Sequence, residues 1–461
     1  MAKDLRSFIT EWEEKSPGDI LRIKEEVSPR FHVSGVLLKL EKENRYPVVI
    51  FERVQNLKGK VAPYQVITNL FASRERSAFA VGASPRRVAQ EFADREARRI
   101  PPLKVAASQA PVKEQVRKEE EVNLYDLPVL THHTQDAGPF LTGGIVICKD
   151  PEAGFYNMAF QRLQVKGERK TGIYLYKASH NGFIYRKYES MNKPMPVAVA
   201  IGHHPAVGIG SQSTMAFGED DYHVIGGLLG EPLELTASET WGEDFLVPAR
   251  AEIVLEGYIP PHIQESEAPF GEFTGYYGPE VQNPVVEYTA MTCRRDPYYH
   301  DVFVGHPDNN LPGGFALEAG IYRALKPVIP GVVNVHLPLS ACCRFHAYVQ
   351  IKKELEGEGI SAVAALPVKH GLKHIIVVDD DIDIFDDREV LWAIATRTQW
   401  DKDVRIIPGM KGVGLDPSSV AGISAKVVID ATRPAPPGTF AARLDLPEEA
   451  LRKAESILSG L

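Results

Sequence analysis

Two glutamates, Glu267 and Glu272, stand five residues apart in IQESEAPFGEFTGYYGPE, with Pro269 and Gly271 between them. In a straight strand an odd separation sends side chains to opposite faces, and proline removes a ladder donor. The segment must therefore bend if both acids serve one site. Phe270, Phe273, Tyr276 and Tyr277 flank the pair and can make the inside of such a bend partly dry. A dry pocket separates carboxyl pKa values and can leave one acid holding a proton to deliver. Taken alone, the spacing is also that of an acidic surface loop.

Other chemistry-bearing residues are scattered. Arg162, in YNMAFQRLQV, can clamp a carboxylate with its planar fork or hold a glutamate ionised, or it can simply cover apolar surface with its stem. Asn157 lies an odd number of residues away, so a shared role requires a bulge or two subsites meeting at an edge. His180, in KASHNG, has a turn-like setting that suits an exposed ring or a ligand. The stretch GIGSQSTMAFGEDDYH offers an anion nest, oxygen ligands for a hard cation through Glu219, Asp220 or Asp221, or only a polar loop. The run Asp379-Asp380-Asp381-Ile382-Asp383 follows an apolar strand, where it can border a crevice or be solvated, with Asp386 and Asp387 capping the next helix. His203 and His204 beside the acidic loop would suit a metal-dependent hydrolase. No Walker loop or metalloprotease motif occurs, nor a GxGxxG between strand and helix.

The elements that must position these residues change texture along the 461-residue chain, whose length implies roughly two or three domains. An amphipathic helix over Leu5–Lys15, a strand in YPVVIFE and a helix in SPRRVAQEFADREARR make a small α/β unit. Residues 100–128 are proline-bearing and charged, a linker or an extended crossing segment. From 129 to 300, short β-branched and aromatic runs between Gly, Pro and Asn point to a barrel or sandwich. After about 310 helix and strand alternate again, through a helical AVAALPVKHG, the strand KHIIVVDDD, the helix REVLWAIATRTQ and a terminal helix in PEEALRKAESILSG. A net charge of -9 argues against nucleic acid as the main partner. The four cysteines lack CxxC spacing, and no secretory or membrane-spanning run is present, so a reducing cytoplasm is expected.

Taken in order, NMAFQRLQV, IGHHPAVGIGSQS, GLLGEPLEL, VPARAEIVLEGYI, SEAPFGEFTGYY, YYHDVFVGHP, VVDDDID and VLWAIATR resemble the UbiD-type decarboxylases, which depend on prenylated FMN. The likeness runs over nearly the whole chain. It implies an α/β (α+β) architecture with an N-terminal α/β domain (1–115), a central split β-barrel that binds the flavin (116–305) and a C-terminal α/β dimerisation domain (306–461). It carries a catalytic Arg-Glu-Glu set onto Arg162, Glu267 and Glu272. It places divalent-metal ligands (Mn2+ or Mg2+) at Asn157, His180 and Asp221, with Glu219 competing for the acid. Cofactor contacts fall on Met158, Gln161, Ser211 and Lys369 as well, and Arg397 matches an arginine near a monovalent-cation site (K+ or Na+).

The implied reaction is reversible, non-oxidative decarboxylation of an unsaturated or aromatic acid. The modified flavin serves as electron sink, and a flavin prenyltransferase supplies it. Glu272 would be the proton donor. Around the distal pocket, His300, His306, Asn309, Asn310 and the stretch IPGMKGVG are polar, which favours a substrate with a heteroatom, because unpaired buried polar groups are costly. Pyrrole-2-carboxylate or a furan carboxylate is expected first and a hydroxybenzoate-type acid next. A flavin-binding subunit without catalysis, or the hydrolase above, are the alternatives.

Overall fold

The computed structural model describes residues 2–368 and 371–459. Its first helix, Leu5–Lys15, buries Leu5, Phe8, Ile9 and Trp12, one stripe at helical spacing, and is capped by Asp4, whose side chain accepts from the Ser7 backbone N–H. It belongs to a unit whose four-stranded sheet runs Ile20–Val27, Val48–Val54, Gln65–Thr68 and Tyr298–His300. The last strand arrives from more than two hundred residues downstream in sequence, so this unit is stitched to the middle of the chain.

The central sheet positions the site. Its main path is Phe140–Leu141, Leu163–Gly167, Lys170–Ile173, Val281–Cys293, Ile253–Ile259, Met195–Ile201, Gly144–Lys149 and Tyr156–Phe160. Tyr156–Phe160 ends this path, yet Leu163–Gly167, near the opposite end, follows it after only Gln161 and Arg162. Three Cα steps reach at most about 11 Å. The sheet must therefore curl until its two margins nearly meet, leaving a slit at Gln161 and Arg162. This curled sheet agrees with the expected split barrel.

The segment 100–128 is a crossing segment rather than a free linker. Leu103–Lys104 runs parallel to Glu234–Ser238, and Gln115–Lys118 pairs antiparallel with Val281–Cys293. Beyond 306, a five-stranded sheet orders Val332–His336, His346–Ile351, His374–Asp379, Ile423–Ala431 and Val404–Lys411. The helix Pro307–Leu325 begins this part, with the His306 side chain accepting from the Asp308 N–H as its cap. The expected helix in AVAALPVKHG is a run of 3-10 turns, Ala362–Val368, since Pro367 cannot donate within a helix. The expected caps hold: Asp386 accepts from the Arg388 N–H. The cysteines are free thiols, and no helix among the described residues is long and apolar enough to cross a membrane.

Candidate active site

The bend between the two glutamates is real. Strand Gln264–Glu267 pairs with Val281–Cys293, and the chain then turns through Ala268 (φ 76°) and a cis Ala268–Pro269 bond. Phe270–Gly271 pairs with Tyr277–Gly278 as a small hairpin, closed by a Glu272 N–H to Tyr276 C=O bond of 2.9 Å. Glu267 ends one strand and Glu272 opens a turn, so both side chains reach the same arginine.

That arginine is Arg162, at the slit of the curled sheet. Its Nε and Nη2 donate to the Glu267 carboxylate at 2.9 and 2.8 Å, a two-point fork. Its Nη1 reaches Glu272 Oε1. Glu267 is fully buried, and Asn283 Nδ2 donates to its Oε2 at 2.9 Å. The guanidinium lies 4.5 Å from the Tyr174 ring centre and 5.5 Å from that of Phe270, which fixes its plane. Burial pushes the Glu272 carboxyl up to about 7, against the opposing charge of Arg162 and with help from the Glu267 and Asp136 charges. A β carbon at Gly278 would lie 2.9 Å from Glu272 Oε1 and 3.4 Å from Arg162 Nη1, so glycine keeps this corner open. The two acids therefore differ: Glu267 is locked in the fork, and Glu272 sits near the midpoint of its titration at neutral pH.

Arg162 and Glu272 line a cavity of about 210 Å³ together with Phe71, Thr142, Tyr174, Phe273, Asn309 and Arg344. A second chamber lies alongside, lined by Asn157, Met158, His180, Asn181, Ser211 and Asp221, and the two share Phe160, Gln161 and Gln212. The odd spacing of Asn157 and Arg162 is thus resolved as two subsites meeting at an edge. Met158, Gln161 and Ser211 line the second chamber as well.

In the second chamber His180 Nδ1 is 3.1 Å from Asn157 Oδ1, and Asn157 Nδ2 donates to Asn181 Oδ1 at 2.6 Å. Tyr156–Phe160 pairs on one side only, and its outer N–H groups at Tyr156 and Met158 donate to Asp220 and Asp221 at 3.0 and 2.7 Å. Burial pushes the Asp221 carboxyl up to about 8. Glu219 instead pairs with Arg99 outside the chamber. Asn157, His180 and Asp221 form a mixed donor set suited to a hard cation that shares oxygen ligands with a phosphate. The buried Asn181 Nδ2, which has no partner among the described residues, adds a donor for such an anion. Among the described residues no group of three or more His, Cys, Asp or Glu side chains is gathered; the set relies on the amide of Asn157.

Several expectations fail. Of the distal residues only Asn309 lines the first cavity, while His300, His306 and Asn310 do not; Leu415 lines it in place of the IPGMKGVG stretch. His300 is buried beneath Phe71, and His306 is spent as a helix cap. Arg397, the arginine matched to a monovalent-cation site, is bound to Asp379 and Asp381 at 2.6 and 2.8 Å in the C-terminal sheet unit, outside both chambers, which does not bear on that match. His203 and His204 are buried against His300 and Phe8, and burial lowers their pKa values to about 4 and 3. Lys369 lies outside the described residues. Sequence reasoning missed Asn283, Asn181, Tyr174 and Arg344. Asn283 carried a faint signal, a lone amide in the apolar run of VQNPVVEY.

Three family models cover the chain: the 3-octaprenyl-4-hydroxybenzoate carboxy-lyase N-terminal domain over 13–96, the Rift-related domain over 103–307 and the C-terminal domain over 311–431. Anhydromevalonate phosphate decarboxylase of Methanothermobacter thermautotrophicus is 32% identical over 93% of this chain and 97% of its own length. Phenolic acid decarboxylase of Sedimentibacter hydroxybenzoicus is 31% identical over 94% of this chain and 92% of its own. The UbiD-class enzyme HmfF of Pelotomaculum thermopropionicum, solved with FMN, superposes with a TM-score of 0.90 at 38% identity, covering 98% of this chain and 99% of that one. Its evolved dimeric form, solved with prFMN, gives 0.88 at 36% identity, covering 99% and 100%. With models matching all three of its parts and decarboxylases aligned along nearly its whole length, the chain belongs to the UbiD family of carboxy-lyases.

Proposed function

We propose that the chain catalyses reversible, non-oxidative decarboxylation of an aromatic or heteroaromatic carboxylic acid with prenylated FMN, which residues of the two chambers would hold. The observation that carries this reading is the Arg162 fork on Glu267, beside a Glu272 carboxyl raised to about 7 in the same cavity. HmfF, solved with FMN and with prFMN, supports the cofactor. Asn157, His180 and Asp221 would hold a divalent cation, manganese or magnesium, and with it the flavin phosphate, while Met158, Gln161 and Ser211 border its length. When bound, the prenylated flavin supplies the electron sink that an aryl carboxylate lacks.

The chain's own residues do the rest. Arg162 orients the substrate carboxylate and holds Glu267 in its fork as a fixed partner. Phe71, Phe160 and Phe270 line the cavity and exclude water from the reacting carbon. After the carbon–carbon bond breaks and carbon dioxide leaves, Glu272 delivers its proton to the carbon that carried the carboxylate. In carboxylation Glu272 takes that proton back, so one residue serves both directions.

The polar lining supplied by Thr142, Tyr174 and Asn309 supports a heteroatom-bearing ring, with pyrrole-2-carboxylate and furan carboxylates ahead of hydroxybenzoates. Pairing with a second copy is supported by the terminal helix Glu448–Leu458, which leaves Leu451, Ile457 and Leu458 exposed. Protein made with and without a flavin prenyltransferase tests the reading. Co-expression should give a coloured protein that releases carbon dioxide from one of these acids. A colourless protein indifferent to that partner would point to a hydrolase, and a coloured one inert toward every acid to a flavin carrier.

A further inference from the structure

The first cavity contains a second guanidinium. Arg344 lines it, and its Nη1 donates only to main-chain carbonyls, Asn310 at 3.0 Å and Cys343 at 3.1 Å. Among the described residues no carboxylate pairs with it. The arginines buried elsewhere among the described residues each have one, Arg76 with Asp19 and Arg397 with Asp379, and so does the half-buried Arg74, with Glu318. Asp308 also lines the cavity, but its two oxygens accept from the backbone N–H groups of Asn69 and Phe71 at 3.0 and 2.7 Å. A half-buried cation in this cleft without a counter-charge is held at a cost, and burial lowers the Arg344 pKa accordingly.

The surroundings hold this costly group in place. Cys342 and Cys343 just before it adopt left-handed φ values of 56° and 49°, which non-glycine residues rarely do. Gly313 faces it from the helix Pro307–Leu325, and a β carbon there would collide with the guanidinium. The Phe273 ring, next in sequence to Glu272, lies 5.9 Å from it. Asn309 lines the same cavity, its side-chain oxygen buried and without a partner among the described residues.

Resting on the decarboxylase reading above, we propose that Arg344 receives a second oxyanion of the substrate, so that among the ring acids considered there the cleft favours one made a dianion by a second carboxylate or a phosphate-type group over the simple monocarboxylates. One anion is then the reacting carboxylate at Arg162. The other fixes the far end of the molecule by charge and by the fork geometry of the guanidinium.

The test compares three probes on the flavin-loaded enzyme: a furan monocarboxylate, the same ring bearing a second carboxylate, and the same ring bearing a phosphonomethyl arm. The wild type should prefer at least one dianion over the monoanion in kcat/KM by about 30-fold or more. The dianion that wins identifies the group. Arg344→Met should collapse that ratio, and Arg344→Lys should restore part of it. Gly313→Ala, which displaces the guanidinium without removing it, should lower the ratio too and covers the case in which Arg344→Met does not fold. A wild type indifferent to the second anion, or a ratio unchanged in the variants, would overturn the proposal. If no acid is decarboxylated, the parent reading fails; calorimetric affinities for the same probes then decide the role of Arg344. Tighter dianion binding that Arg344→Met abolishes would support it, and equal affinities would sink it.

Discussion

At one end of the cleft the guanidinium of Arg162 is met by two carboxylates, with Glu267 held in a fork and steadied by Asn283. At the other end Asp221 is buried and makes no ion pair among the described residues, surrounded by the neutral side chains of Asn157 and Asn181 and the imidazole of His180. The first end is satisfied by the protein itself, so its groups stand in working positions before a ligand arrives, as electrostatic preorganisation requires. The second collects donors around an acid with no ion pair among the described residues, an inventory that a cation and a phosphate tail would complete. On the proposed reading chemistry and anchoring are carried by different residues, and substitutions at the two ends should fail in different ways.

The largest expected effect is at the reacting end. Glu272→Gln keeps the shape but removes the transferable proton, and turnover should fall by about a hundred- to ten-thousand-fold while bound flavin, read by absorbance, stays at the wild-type level. Loss of flavin together with activity would merge the two ends. Arg162→Lys keeps a charge but loses the fork; steady-state kinetics should show a drop of tens-fold or more in kcat/KM. Removing the charge altogether, as in Arg162→Met, leaves Glu267 buried without its partner. The cost is about 3 to 5 kcal/mol, visible as a lower melting temperature.

At the anchoring end His180→Ala should weaken metal and flavin retention by about ten- to a hundred-fold, measured by metal content and flavin absorbance after dialysis. The flavin-loaded fraction should keep most of its turnover. A smaller effect distinguishes the two acids by pH. The acid form of Glu272 is populated below its raised value of about 7, so decarboxylation limited by proton delivery should hold at lower pH and decline by about tenfold for each unit above 7. A rate that rises through this range would assign the proton to another group. Gly278→Ala should cost least, a few-fold in kcat, by pressing on Glu272 and Arg162.

Much of this was legible in the sequence because local chemistry forced it. Pro269 and Gly271 announced the bend, the stripe Leu5, Phe8, Ile9 and Trp12 announced the first helix, and the odd spacing of Asn157 and Arg162 narrowed their relation to a bulge or two subsites sharing an edge. What was illegible depends on long-range closure. That Tyr156–Phe160 and Leu163–Gly167 lie near opposite ends of one sheet path, which puts Arg162 at a slit, follows from the pairing of strands far apart in the chain. The distal pocket was misread for the same reason. His300 and His306 look available in sequence but are used for packing and capping, whereas Arg344, with no periodic or motif signal around it, is delivered to the cavity by the turn at Cys342 and Cys343.

The division of roles between the two acids comes down to which atom gives the proton. With flavin-loaded protein and the decarboxylated product in deuterium oxide, wild type should incorporate deuterium at the carbon that bears the carboxylate in the substrate, as followed by proton NMR. Glu272→Gln, with flavin bound at the same level, should incorporate none above the uncatalysed background. Exchange by that variant at the wild-type rate would contradict the assignment of Glu272 as the proton donor.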